Sequence, residues 1–191
     1  MSLHLTGGTL NRRRLPSSGA GVRPTQNRVR EAVFSSLAPR IPGCAFLDLY
    51  AGSGAVGLDA WSRGADRVVA VEKDRRTAAQ IEASAKALKV PDAEFRVICG
   101  GAAQVVRGLV GAPFDVIYID PPYEVTDQAD ALEALMTTLA TGNLVAEGTA
   151  VLVEVGAKSN WEPPAPWSVR QDRRYGAARV IWLNELVQET Q

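Results

Sequence analysis

The chain has 191 residues, 46% of them hydrophobic and 22% charged, with a formal net charge of zero and a single histidine. That length and balance suit one globular domain. No apolar run reaches the ~18–20 residues of a membrane span, and a histidine triad or a histidine-based metal site is excluded, so no metal is expected. The two cysteines, Cys44 and Cys99, lack zinc spacing and form no disulfide framework, and "MSLHLTGGTLNRRRL" has no apolar segment ahead of its arginines. A reducing, cytoplasmic setting is the expectation.

The zero charge is unevenly laid out. Residues 1–30 carry six arginines (Arg12, Arg13, Arg14, Arg23, Arg28 and Arg30) and no aspartate or glutamate, so the remainder is acidic by the same amount. A basic arm on an acidic body fits a polyanion partner, and equally a solvated tail. The first 20 residues, with Gly7-Gly8 and Ser17-Ser18-Gly19 as turn signals, predict a short hairpin or arm. In "RPTQNRVREAVFSSL", Thr25 is placed to cap a helix on which Val29, Ala32, Val33 and Leu37 form one apolar stripe. Arg28 and Arg30 lie off that stripe, and Pro39 and Pro42 end the helix.

From residue 44 short apolar runs alternate with helical segments. "CAFLDLY", "RVVAVE", "EFRVIC", "FDVIYID" and "TAVLVEV" read as strands. Between them lie helices in "GAVGLDAWSRG", in "DRRTAAQIEASAKALKV" with Asp74 as cap, in a weak segment over 102–110, and in "TDQADALEALMTTLATG" with Leu132, Leu135, Met136 and Leu139 inward. Strands buried on both faces and interleaved with helices predict a doubly wound, mostly parallel α/β sheet. "SVRQDRRYGAARVIWLNEL" adds two strands around Tyr175-Gly176, an antiparallel hairpin at the end of a seven-stranded sheet. The predicted organisation is one domain over 1–191, with an arm and helix over 1–40 and a ligand-binding core over 44–191.

In such a fold ligands sit at the carboxyl ends of the strands, where strand order reverses. "LDLYAGSGAVG" follows the first strand and opens the first core helix, and Gly52 and Gly54 permit close backbone approach to a ligand. Glu72 ends the second strand, placed to accept both hydroxyls of a ribose. Both NAD and S-adenosylmethionine carry such a ribose, so these features do not separate them. Asp48 and Tyr50 lean toward the methyl donor, because a carboxylate inside the turn suits an ammonium group and repels a pyrophosphate.

"DPPY", Asp120-Pro121-Pro122-Tyr123, ends the fourth strand, next to the first in this topology. An exocyclic amine is a poor nucleophile because its lone pair is delocalised into the ring. The Asp120 carboxylate and the Pro121 carbonyl offer two acceptors that localise it, Pro122 stiffens the loop, and Tyr123 offers a stacking face to an extruded base. Methyl transfer then needs positioning rather than a metal or a covalent intermediate.

Taken together, "RPTQNRVREAVFSSL", "LDLYAGSGAVGLDAWSRGADRV", "VEKD" and "IDPPYE", in this order, resemble the RsmD-type methyltransferases of bacterial 16S ribosomal RNA. The resemblance covers nearly the whole chain, and the arginine-rich segment is its most specific part. It implies a Rossmann-like class I fold and methylation of guanine N2 on the small ribosomal subunit, with S-adenosylmethionine as cofactor. It implies a catalytic role for Asp120 through Tyr123. Asp48, Tyr50, Ala51, Gly52, Ser53 and Gly54 would wrap the methionine part of the cofactor, Glu72 its ribose, and Lys73 would lie beside the adenine. Thr25 would reach the cofactor from the N-terminal segment, while Arg23, Arg28 and Arg30, with Arg12, Arg13 and Arg14 on the arm, would meet RNA. One departure concerns the adenine slot at Gly101-Ala102, where such enzymes often place Asp or Asn and this chain offers only backbone.

Rival readings differ in class. The DPPY fork fits any exocyclic amine, so methylation of DNA adenine or cytosine is the alternative. An NAD-dependent oxidoreductase lacks a substrate domain and a suitable proton donor here, and a non-catalytic RNA-binding relative would be expected to lose Asp120 or the glycines. Arg170, Arg173, Arg174 and Arg179 extend the basic face if alternation exposes them. Trp61 reads as core, Cys99 as a small buried hydrophobe, and Cys44 as lying at the wrong end of the sheet for a nucleophile. A monomer without an obligate protein partner is the default.

Overall fold

The structure, a computed structural model, describes residues 3–15, 24–122 and 126–184. Its centre is a seven-stranded sheet in the order β3-β2-β1-β4-β5-β7-β6. Strands β1 (Ala45–Leu49), β2 (Arg67–Glu72), β3 (Phe95–Cys99), β4 (Val116–Ile119) and β5 (Ala150–Gly156) run parallel. β6 (Ser168–Tyr175) and β7 (Ala178–Asn184) form the antiparallel hairpin, joined to the sheet through β5. The mostly parallel, doubly wound sheet with a terminal hairpin is the architecture that the alternation predicts, strand for strand.

The helices are α1 (Pro24–Leu37), α2 (Ala55–Ser62), α3 (Arg75–Ala87), α4 (Ala102–Gly108) and α5 (Thr126–Thr141). Among the described residues none is long and apolar enough to cross a membrane. Asp74 caps α3 as expected, its carboxylate accepting the Thr77 N–H at 2.7 Å. α1 begins one residue before Thr25, at Pro24, so Thr25 is not its cap. Proline suits a first helical position because its missing N–H would be unpaired there in any case.

Two cores sandwich the sheet. Phe46, Val68, Ala70, Val116, Tyr118 and Leu152 point toward α1, α2 and α3. Leu47, Leu49, Val69, Ile117, Ile119 and Val153 point toward α4 and α5. Successive strand residues face opposite sides, so in β1, β2, β4 and β5 the even-numbered positions share the α1–α3 face. That parity decides which side chains meet at the carboxyl ends of the strands.

The N-terminal arm is a hairpin, as predicted, with Leu5 N–H donating to the Arg13 carbonyl and Leu15 N–H to the Leu3 carbonyl, both at 2.9 Å. It docks on the carboxyl end of α2. Asp59, fully buried, accepts Thr6 N–H at 2.7 Å and Thr6 O–H at 2.9 Å and is also paired with the Arg30 guanidinium. Leu10 N–H donates to Ser62 Oγ at 2.8 Å. Gly8 sits at φ 71° so close to the end of α2 that an added Cβ would fall 1.7 Å from the Ser62 carbonyl oxygen, leaving glycine as the residue that fits.

Candidate active site

β1 hands the chain to α2 through a tight turn with three left-handed residues: Tyr50 at φ 64°, Gly52 at 53° and Gly54 at 74°. At Gly54 a Cβ would lie 2.6 Å from Ile81 Cγ2, so packing as well as dihedral requires glycine. The turn is held from both sides, Gly54 N–H donating to the Ala51 carbonyl at 2.7 Å and Ala51 N–H to the Val71 carbonyl at 2.9 Å. Glu72 orients its carboxylate by accepting Gly52 N–H on Oε2 at 2.9 Å and Asp74 N–H on Oε1 at 2.8 Å. Each oxygen keeps capacity for one hydroxyl.

Strand order reverses between β1 and β4, the switch point where ligands bind in this class of sheet. Asp120, the residue after β4, donates its N–H to the Leu49 carbonyl at 3.2 Å. The acidic-diproline corner and the glycine turn therefore leave the sheet side by side. Between them lies a cleft of about 160 Å³ lined by Tyr50, Gly52, Ser53, Tyr118, Asp120 and Glu154 among others.

Asp120 and Glu154 line this cleft, and Asp48 and Glu72 stand beside them at the ends of β1 and β2, all four at even positions and so on one face of the sheet. Asp48 is buried beneath the turn, its Oδ2 accepting Gly57 N–H at 2.9 Å in the first turn of α2. Burial, with a smaller push from Glu72, raises its carboxyl from 3.8 to about 7. Burial also raises the Asp120 carboxyl well above the ordinary range, with the Glu154 and then the Asp48 charges adding to it. Tyr118, fully enclosed, donates its hydroxyl to Glu154 Oε2, and its phenol is pushed up by burial first and by Glu154 second. Arg30 reaches the cleft wall but is committed to Asp59, the His4 carbonyl and Asn27. This cluster of carboxyl groups suits a cationic ligand carrying hydroxyls better than a pyrophosphate, because a nearby cation draws the buried carboxyls toward their ionised form.

The remaining sequence candidates divide by location. Tyr123 and Arg23 lie outside the described residues, as does the side chain of Thr25. Pro121 is buried and Pro122 exposed at the corner. Gly101 precedes α4 with open space at its Cβ, Ala102 begins that helix, and Gly100 N–H donates to the Glu72 carbonyl at 2.9 Å, so this segment lies beside Glu72. Lys73 is exposed beside it. Arg12, Arg13 and Arg14 are exposed on the hairpin and Arg28 on α1, whereas Arg30 is only 6% exposed. Its guanidinium fastens the arm to α2 and is not presented to an external phosphate.

Two lesser expectations change and a third, on Cys44, holds. Cys99 is exposed rather than buried, its thiol 3.8 Å from the Lys73 carbonyl oxygen, because the end of edge strand β3 has no neighbour to cover it. Arg179 faces inward, where Asp172 accepts from it twice at 3.0 Å and once at 2.7 Å, and the Glu162 carboxylate and the Ser159 and Trp161 carbonyls accept its remaining donors. A bulge between Val169 and Gln171 resets the alternation on β6. Cys44 is buried, and burial with the charges of Asp115 and Asp66 pushes its thiol up to about 12, which leaves it inert as a nucleophile.

Tyr118, Glu154 and Asp59 are absent from the sequence reading. The signal for the first two exists: "FDVIYID" and "TAVLVEV" each place a polar group inside a run that a parallel strand buries on both faces. A buried charge needs a partner, and each supplies the other's.

Comparison with known proteins is consistent across the chain. The family described as conserved hypothetical protein 95 matches residues 3–184. The Escherichia coli K12 protein called ribosomal RNA small subunit methyltransferase D is 32% identical over 176 residues, 91% of this chain and 85% of that one. Its Haemophilus influenzae namesake is 28% identical over 91% of this chain and 89% of its own. The solved structure of the Escherichia coli protein yhhF superposes with a TM-score of 0.83 at 30% identity, covering 98% of this chain and all of that one.

Proposed function

The chain belongs to the conserved hypothetical protein 95 family, the RsmD-type proteins, and from that premise we propose that it methylates ribosomal RNA of the small subunit at the N2 amine of a guanine, with S-adenosylmethionine as donor. The observation that supports this most is the pairing of Asp120 N–H with the Leu49 carbonyl at 3.2 Å, which sets an amine-binding corner against a cofactor turn. When bound, S-adenosylmethionine supplies a methyl group on a sulfonium centre. The chain's own residues bind and orient. Gly52, Ser53 and Tyr50 border the space for the methionine part, Glu72 accepts the ribose hydroxyls, and the backbone at Gly101-Ala102 borders the adenine. The carboxyl groups around the cleft favour the donor's positive charges and disfavour the negatively charged pyrophosphate of a nicotinamide dinucleotide.

Asp120 accepts a hydrogen bond from the exocyclic amine and localises the nitrogen lone pair toward the methyl carbon. Pro121 and Pro122 hold that corner before substrate arrives, and Tyr123 stacks on the base. Most of the rate enhancement then comes from alignment and from avoided reorganisation. Arg12, Arg13, Arg14 and Arg28 contact RNA phosphates outside the cleft, Arg23 adds to the RNA contacts, and Thr25 adds to those of the cofactor. The protein acts as one domain and a monomer on a cytoplasmic substrate.

The test is transfer of tritium from labelled donor into purified small subunits that lack the modification. Wild type is expected to label one guanine, and Asp120→Ala is expected to abolish labelling while donor affinity by calorimetry changes only a few-fold. Normal labelling by the variant refutes the role given to that carboxylate.

A further inference from the structure

Glu154 has no part in the mechanism above, yet it is 8% exposed and lines the same cleft as Asp120. Its position is fixed by register. Ile119 on β4 pairs with Val153 on β5, so the next residues along, Asp120 and Glu154, stand side by side on neighbouring strands, which lie about 4.8 Å apart. Both side chains project to the same face of the sheet. Two carboxylates on adjacent strands in one cleft do not both ionise cheaply, because each negative charge disfavours the other. The partner that anchors Glu154 is the Tyr118 hydroxyl, two residues before Asp120 on the same strand and fully enclosed. A phenol donating to Glu154 favours its ionised form, so Asp120 is where the pair takes up its first proton, and the form that acts on the amine is the one in which Asp120 is still ionised.

We propose that Glu154 is a positioning residue for Asp120: the two carboxylates form one proton-sharing pair, with the Tyr118 hydroxyl holding the Glu154 end. The inference rests on the amine-binding role given to Asp120. When the amine nitrogen bonds the methyl carbon, the electron pair of the broken carbon–sulfur bond stays on sulfur, and the nitrogen must shed one proton. Asp120 is the acceptor in reach, and a carboxylate made more basic by an adjacent anion accepts that proton more readily near neutral pH. Among the described residues, the other titratable groups around the pair are Asp48 from β1, Tyr50 from the turn, Tyr118 from β4 and Arg30 from α1. Arg30 is neutralised by Asp59, and Asp48 acts on Asp120 less strongly than Glu154 does.

The experiment is a carboxyl-carbon NMR titration of the full, cofactor-free chain, run beside the pH profile of kcat/KM for methyl transfer. Wild type is expected to show two coupled steps for the pair. In Glu154→Gln, Asp120 is expected to titrate in one step about one pH unit or more lower, with the acid limb of the profile moving the same way. In Tyr118→Phe the Glu154 anion loses its donor and competes for the proton, so the Glu154 step is expected to move upward and the Asp120 step downward. Thermal unfolding reports whether each variant is folded, and if Glu154→Gln is not, the Tyr118→Phe shift decides alone. An Asp120 midpoint unmoved in the folded variants overturns the inference even if the wild-type chain methylates RNA. A coupled titration in a chain that transfers no methyl group instead leaves the pair standing and overturns the proposed function.

Discussion

Burial lifts the Asp48 carboxyl from 3.8 to about 7, and this fixes the sign of a stability effect. Between those values the folded chain holds a proton that the unfolded chain has lost, so stability falls as pH rises across that window and stays at its lower level above it. Asp48→Asn removes that titration while its amide oxygen still accepts Gly57 N–H. Urea midpoints of the variant are expected to vary less than those of wild type between pH 4.5 and 7.5, and to lie higher at the upper end. Asp120, raised in the same direction, leaves a residual slope in both. Glu72 carries a different prediction. Its two oxygens anchor the backbone of Gly52 and Asp74, and hydrogen bonds to a charged group contribute about 1.5–3 kcal/mol each. Calorimetry is therefore expected to show Glu72→Ala weakening donor binding by at least tenfold. Of these residues Asp48, Glu72 and Asp120 were legible in the sequence because each sits at the end of a predicted strand, Asp48 just before the glycine turn, Glu72 at ribose-binding spacing from Gly52, and Asp120 directly before two prolines. Glu154 and Tyr118 were not, since their meaning depends on β4 and β5 being neighbours, which local pattern does not encode.

At the scale of elements, α2 joins two tasks over eight residues. Its first turn rises from the glycine bend, and its last carries Asp59 and Ser62, which hold the arm. Removing one member of a buried ion pair leaves an uncompensated charge, at a cost of about 3–5 kcal/mol. Asp59→Ala is expected to lose that much in urea unfolding, and hydrogen exchange is expected to show loss of protection at Leu5 and Leu15 before the sheet opens. Periodicity placed Arg30 off the apolar stripe of α1 and so among solvent-facing cations. Its partner lies 29 residues away, beyond any window in which helical spacing is informative. Arg179 differs for a related reason: a bulge one strand away changed which face its neighbours present. The five parallel strands, by contrast, were legible almost to the residue: in β1, β2, β4 and β5 burial on both faces writes an apolar run that tolerates few substitutes, and edge strand β3 keeps β-branched residues between its exposed positions.

For the whole molecule, the separation of basic arm from acidic body survives folding, with fewer free cations than the composition suggests. Arg12, Arg13, Arg14 and Arg28 are exposed, and Arg30 is not. Each cation that meets a phosphate steepens the salt dependence of RNA binding by about 0.7–0.9 in the log–log slope. Replacing Arg12, Arg13 or Arg14 singly by alanine is expected to reduce that slope by about one such step in filter-binding isotherms. An unchanged slope would exclude that arginine from the interface.

The hairpin's anchorage to α2 has one more result. An arm that orders only on meeting its target surrenders backbone and side-chain freedom at the moment of encounter, and its favourable contacts are discounted by that loss. Here the backbone beneath Arg12, Arg13 and Arg14 is already set by Asp59 and Ser62. An approaching polyanion thus finds the guanidinium groups mounted on a preformed ledge, and much of the entropy of arranging them has been settled during folding, before any encounter.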